Sequence, residues 1–286
     1  MNPEGTMHTF HTPDPVSLRV ELIAGKIEVT AAETDSTTVE LIAISGGEAA
    51  QDVIDETKIE QRGDEIVVLV PRTKGGGLFR SRIEIEALIT VPIDSSAKLQ
   101  AGSADIKTNG QLGDVRAESG SGDVVIEHGA AVETKTGSGD ISVGTATRSL
   151  KSKGGSADVE VGTVNGDAEV LSGSGDIVIG GASGQLKIKS GSGDIAIQDA
   201  GDLVDVMAGS GDLRVRRIDH GIVKAKTGSG DVSVSIVEGT STYLDVSTVT
   251  GDVRSDLEGA EPPEDGAPTT EVHIRTGSGD VVLQRA

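Results

Sequence analysis

The chain has no cysteine and no tryptophan, and among its 286 residues only Phe10, Phe79 and Tyr243 are aromatic. Without cysteine there are no disulfides, no thiol nucleophile and no thiolate metal site. Without aromatics a wide core is not expected, because those side chains supply much of the bulk that such cores bury. Long apolar runs are missing too, and nothing approaches the roughly 18 consecutive apolar residues of a membrane-spanning helix. Met1 to Pro15 has neither a basic start nor an apolar stretch, so no signal peptide is read there and a cytoplasmic location is the simplest expectation. Positive charge is also scarce: 25 Lys and Arg against 46 Asp and Glu leave a net charge of −21. That balance argues against direct nucleic-acid binding through phosphate neutralisation.

What is abundant is glycine, 40 residues, beside a 35% hydrophobic content made mostly of Val, Ile, Leu and Ala. Glycine-rich chains often stay disordered, but here the aliphatic residues fall in register with a repeat. Gly-Ser-Gly-Asp and its variants recur, with aspartates at Asp105, Asp123, Asp140, Asp158, Asp176, Asp194, Asp212, Asp231, Asp252 and Asp280. Successive spacings are 18, 17, 18, 18, 18, 18, 19, 21 and 28 residues. The residue after each Asp is aliphatic, from Ile106 to Val281, and so is the one eight before it, from Ala97 to Val272. The position three after Asp is aliphatic in eight of ten copies, with Thr108 and Ser255 the exceptions.

Each copy therefore holds two short segments of period two, the signature of strands with one buried face. Between them, glycine allows the left-handed conformations of a turn and Asp accepts backbone hydrogen bonds. The inward phase also shifts by one residue across that element, as a corner requires. No single copy can bury its two aliphatic faces, so the copies must stack. The expected fold is all-β: a single-domain β-solenoid, or β-helix, of about ten coils of roughly 18 residues. With strands about 4.8 Å apart, ten coils in chain order give a rod on the order of 50 Å long.

Seven residues before Asp, on an outward position, stand Glu133, Lys151, Glu169, Lys187, Asp205, Lys224 and Asp245, with alternating sign. Such a column favours stacking in register, because a one-coil slip would set like charges together. Residues 1–95 read as irregular N-terminal capping coils of the same solenoid, and residues 96–286 as the regular repeats. Gly25-Lys26-Ile27-Glu28-Val29 is similar to the repeat element with its Asp replaced. Further strands are expected at 37–45, 65–70 and 83–91, with a short helix from Glu48 to Asp55 and a strand near Lys58 to Gln61. Residues 258–270, acidic and proline-rich, read as a flexible loop in the terminal coil.

Aligned in this way, the Gly-Ser-Gly-Asp-Ile-x-Ile repeats resemble a bacterial, adhesin-labelled β-strand-repeat family of unknown function, also called the toastrack domain. Ser17 to Val29 is similar to that family's opening strands and Ile83 to Pro92 to its lead-in. The resemblance implies a β-helix and no enzymatic activity.

Candidate chemistry is sparse. Repeat-in-toxin β-rolls bind calcium through glycine- and aspartate-rich turns, which makes Asp123, Asp140, Asp158, Asp176, Asp194, Asp212 and Asp231 a candidate calcium column. The simpler reading gives these carboxylates to turn hydrogen bonds, and on it no metal and no cofactor is expected. His8 and His11 are the one close histidine pair. No phosphate-loop, zinc-protease or serine-hydrolase motif occurs, so no catalytic residue is assigned. A partner contact is offered by the basic, glycine-rich stretch 72–82, at Leu78, Phe79, Arg80 and Arg82. The functional expectation is a non-enzymatic scaffold or protein-interaction module with an unknown protein partner. The alternatives are an acidic decoy that imitates nucleic acid and a carbohydrate-interacting β-helix. Val281 to Leu283 read as the last strand of the stack, and the expected state is a monomer or a dimer through the C-terminal coil.

Overall fold

The computed structural model of the chain describes residues 6–71, 83–257 and 269–286, and strand is nearly the only regular structure in it. The chain divides into two compact units, Met1–Val143 and Gly144–Ala286.

In the first unit the strand Ser17–Ala32 sets the pattern of a coil. Leu18, Val20, Leu22 and Ala24 point inward, then Gly25 turns the chain and Ile27, Val29 and Ala31 point inward on the other phase. Gly25 has φ 120°, a conformation that glycine adopts without a Cβ penalty. Ser17–Ala32 pairs in parallel with Ser96–Gln111, and Lys26 falls opposite Asp105 and Ile27 opposite Ile106. The likeness of the Gly25 element to the repeats is therefore a likeness of place. Its other side pairs with Glu65–Leu69 and with Glu84–Pro92, also in parallel. The outer strands then turn antiparallel: Ser36–Ser45 lies on Glu84–Pro92, Thr6–His11 on Ser36–Ser45, and Lys58–Arg62 on Glu65–Leu69. A short helix, Glu48–Asp55, turns Ala50, Val53 and Ile54 inward. The strands and helix read from residues 37–95 are all present, within a residue or two at their ends.

The second unit is built of two parallel ladders, one on each side of the Gly-Asp corner. The first runs from residues 149–156 through Asp167–Ser174, Gln185–Ser192, Leu203–Ser210 and Gly221–Ser229. The second runs through Val159–Val164, Ile177–Ala182, Ile195–Asp199, Leu213–Ile218 and Val232–Ile236. Their inward residues meet in a narrow aliphatic core: Val170, Ile177, Ile179, Leu186 and Ile188 are almost wholly buried. Each is worth roughly 1.5–3 kcal/mol of burial.

The stack then departs from chain order. Gly221–Ser229 pairs next with Thr269–Ser278, and Ser241–Thr250 lies beyond it. Likewise Val232–Ile236 pairs with Val281–Arg285, and Val253–Ser255 lies outside that. The chain's final repeat is thus inserted beneath the one before it, and Val281 to Leu283 are not the last strand. The reason lies three residues before Asp, where the regular repeats carry glycine. A Cβ on Gly191, Gly209 or Gly277 would stand 2.4–2.6 Å from a carbonyl oxygen of the preceding coil, closer than atoms pack. The coil with Asp252 carries Val249 at this place. Only an outermost coil, with no second neighbour pressing on it, can move its backbone to seat that valine, and Val249 is 83% exposed.

Candidate functional site

At each corner the ladder lapses between the pairs Ser174↔Ser192 and Ile177↔Ile195, and an aspartate fills the gap. Asp194 N–H donates to Asp176 Oδ1 at 2.8 Å, and Asp212 N–H donates to Asp194 Oδ1 at 2.9 Å. The same bond joins Asp176 to Asp158 and Asp231 to Asp212, each at 2.8 Å. It follows the true stacking order, from Asp280 to Asp231 at 2.8 Å and from Asp252 to Asp280 at 2.9 Å. In the first unit Asp123 donates to Asp105 and Asp140 to Asp123. In return, Ile177 N–H donates to the Asp194 carbonyl at 2.8 Å. The carboxylate thus stands in for a backbone carbonyl that the phase shift removes, and the column named for calcium stitches coil to coil. Among the described residues no cluster of three or more His, Cys, Asp or Glu could hold an ion. His8 and His11 lie three apart in the strand Thr6–His11, which sends them to opposite faces.

Four residues before Asp, the sequence reading passed over a second device. Ser119 Oγ accepts the Gly122 N–H at 2.9 Å and donates to the Ala104 carbonyl at 3.0 Å, and Thr136 repeats this with Gly139 and Gly122. These buried hydroxyls are legible as a Ser/Thr column once the copies are aligned.

The charged column keeps its alternation through most of the second unit. Lys151 faces Glu169, Glu169 faces Lys187, Lys187 faces Asp205 and Asp205 faces Lys224. Lys224 then meets His273, and Asp245 lies beyond that, so the expected Lys224 and Asp245 neighbours are separated by the inserted coil. His273 Nδ1 stands 3.5 Å from Asp245 Oδ2 and Nε2 3.2 Å from Glu271 Oε2. Its ring is tilted against Tyr243, with centroids 5.9 Å apart. A separate group on this unit joins His220 to Asp219 and Asp202, and Arg217 to Asp219 and Asp199. The His220 hydrogen bond, more than any other influence, holds the Asp219 carboxyl below its ordinary range.

The first unit carries an open depression of about 770 Å³. Its lining includes the glycine column Gly102, Gly120 and Gly137, the polar residues Glu21, Gln100, Glu118 and Lys135, and Leu22, Ile23 and Val70, of which Ile23 alone is more than slightly exposed. Arg116 donates a hydrogen bond to Glu118 and holds that carboxyl below the ordinary range. Leu78, Phe79, Arg80 and Arg82 lie outside the described residues, as does the expected loop up to residue 268; Thr269 and Thr270 already belong to the strand Thr269–Ser278. No helix among the described residues is long and apolar enough to cross a membrane.

The chain matches the family model described as Toastrack DUF4097 over residues 16–284. No curated protein matches it. Among solved structures it is similar to a candidate lipid-binding protein from Parabacteroides distasonis, at 13% identity and TM-score 0.44, covering 98% of this chain and 97% of that one. It is also similar to a candidate adhesin from Bacteroides fragilis, at 10% identity and TM-score 0.38, with coverage of 98% and 97%. A third, a candidate adhesin from Parabacteroides merdae, has 12% identity and TM-score 0.37, with coverage of 98% and 97%. Likenesses this distant carry nothing about ligand or partner.

Proposed function

The chain belongs to the Toastrack DUF4097 family, and on that footing we propose that it is a non-enzymatic β-solenoid module that binds a protein partner. The observation behind this reading is the depression of the first unit. A concave surface that combines exposed apolar area at Ile23 with a few polar groups suits binding, and Glu21, Gln100, Glu118 and Lys135 stand at matching positions of successive strands in its lining. Gly102, Gly120 and Gly137 in its lining have no side chain, so a partner segment can approach the coils closely there. The aspartates of the repeat column are hydrogen-bonded from coil to coil in the same fashion, which supports a structural role for them.

Ile23, half-exposed in the lining, offers the test. Proteins cross-linked to the chain in its native host would be compared between the wild type and Ile23→Arg, which fills the depression but touches no core position. Loss of a specific partner, with the circular dichroism spectrum unchanged, supports the reading. Capture of the same proteins by both, or of none by the wild type, overturns it.

A further inference from the structure

The outermost coil of the second unit, residues 241–255, is incomplete on one side. Among the described residues Ser241–Thr250 pairs only with Thr269–Ser278, and Val253–Ser255 only with Val281–Arg285. Among the described residues, then, no strand lies on the opposite edge of either, the arrangement in which backbone N–H and C=O groups invite a further strand. Their core-facing side chains are open as well. In the coil beneath, Val272, Ile274, Val281 and Leu283 are buried to within 1%. At the matching places of the outer coil, Leu244 is 37% and Val253 47% exposed. Tyr243 and Val249 add further exposed apolar surface. So large a share of apolar surface on one short coil marks an interaction face.

Natural sheets blunt such edges with charge, and one outer strand of the first unit does so. That strand, Lys58–Arg62, carries Lys58, Glu60 and Arg62, joined to one another by ion pairs. By contrast Ser241–Thr250 has one charged residue, Asp245, in ten, and no proline. Its Ser-Thr-Val-Thr end has the high β-propensity and low charge of segments that pair with copies of themselves.

We infer that this coil is a self-association face, and that a second copy of the chain covers it in a closed, two-fold dimer. A lone strand from another protein would complete one ladder and leave the other, with the apolar interior, open. A second copy offers two strands at the same spacing around the same cross-section, so both ladders and the interior close together. A two-fold axis across the stack reverses strand direction, so the new pairings are antiparallel, the geometry that identical edges can share. A two-fold contact uses the same face on both copies, so the face is consumed on each and assembly through it stops at two.

The face comprises about fifteen residues, fewer than the roughly 20–30 a side of a standard interface, so the dimer dissociates in the micromolar range. Sedimentation of the full chain between about 1 and 200 μM at physiological salt reads this directly, with the mass expected to double across that range. Tyr243→Lys with Val249→Lys sets like charges across the two-fold and should weaken association roughly tenfold or more while the melting temperature holds. Because the chain has no cysteine, single variants Tyr243→Cys, Asp245→Cys, Ser247→Cys and Val249→Cys give a reading that does not depend on that pair. A disulfide between copies needs Cα atoms within about 7 Å, so oxidation should cross-link one or two neighbouring sites near the axis. Thr9→Cys and Lys58→Cys on the outer strands of the first unit should not cross-link. A chain monomeric at every concentration overturns the inference, whether residues 258–268 or another protein's strand covers the edge. So do larger polymers, a dimer that survives both lysines, or cross-links confined to the first unit.

Discussion

Replacing Asp194 by alanine and by asparagine separates the two things its carboxylate does. Oδ1 accepts the Asp212 N–H at 2.9 Å, while the Asp194 N–H donates to Asp176. Alanine removes the acceptor. A hydrogen bond to a charged group is worth about 1.5–3 kcal/mol when buried, but this one is exposed, and water recovers part of it, leaving about 1 kcal/mol. The carboxylate also repels those of Asp176 and Asp212, about one strand spacing away, by roughly 1 kcal/mol each in water before screening. Asparagine keeps the acceptor and removes the repulsion; alanine loses the one and relieves the other. Asparagine should therefore exceed alanine by about 1 kcal/mol and should match or exceed the wild type at low salt.

Carried through Asp176, Asp194 and Asp212 together, the difference between triple asparagine and triple alanine grows to about 3 kcal/mol. For a chain of this length that corresponds to a melting-temperature gap of about 5 °C. Thermal unfolding followed by circular dichroism at low and high salt measures both terms. Salt should erase the advantage of asparagine over the wild type but not its advantage over alanine. If asparagine proved as damaging as alanine at low salt, the charge itself would be required, and a bound cation would replace the stitched backbone as the explanation of the column.

Three other expectations follow from the same geometry. Deleting Ser172 to Lys189 joins Leu171 to Ser190, and because Leu171 pairs with Lys189 and Ser172 with Ser190 the remaining coils should close up and stay folded; loss of the β-sheet circular dichroism would contradict nearest-neighbour stacking. Gly191→Val places a side chain 2.4 Å from the Gly173 carbonyl and should cost about 1–3 kcal/mol or more, whereas Val249→Gly should change stability little. Equal costs in denaturant unfolding would refute the stacking order. The Asp219 carboxyl, held low chiefly by its His220 hydrogen bond, contributes stability above the ordinary carboxylate range near pH 4 and loses it as pH falls through its depressed folded value. At this exposure the contribution is under about 1 kcal/mol, and Asp219→Asn should flatten that part of the acid limb; an unchanged slope between pH 5 and 3 would count against it.

The coil was legible because repetition supplies its own alignment: the aliphatic columns at one after and eight before Asp are the buried columns of the structure. The Gly25 element was legible as a repeat with its Asp replaced because glycine and the flanking aliphatics keep their spacing there, and Lys26 does fall opposite Asp105. Stacking order was not legible from spacing, since any copy has the faces to lie on any other. The order was written in an exception instead. Val249 in a glycine column marks the coil that, among the described residues, has only one neighbour. That feature was visible, and only a packing argument gives it meaning. The depression in the first unit escaped the sequence reading because it lies where the glycine column lacks side chains, beside Val70, which follows the strand Glu65–Leu69 elsewhere in the chain.

The inserted final repeat changes how the second unit opens. A stacked protein frays from its outermost repeat, and usually that repeat is a chain end that peels away as a loose tail. Here the outermost coil is residues 241–255, and the chain continues from it into the coil beneath. When it lifts off it becomes a closed loop tethered at both ends, so the number of arrangements it gains grows only with the logarithm of its length. It also stays at high local concentration over its own docking site. The first weak point of the unit is therefore internal to the sequence, open to cleavage in mid-chain.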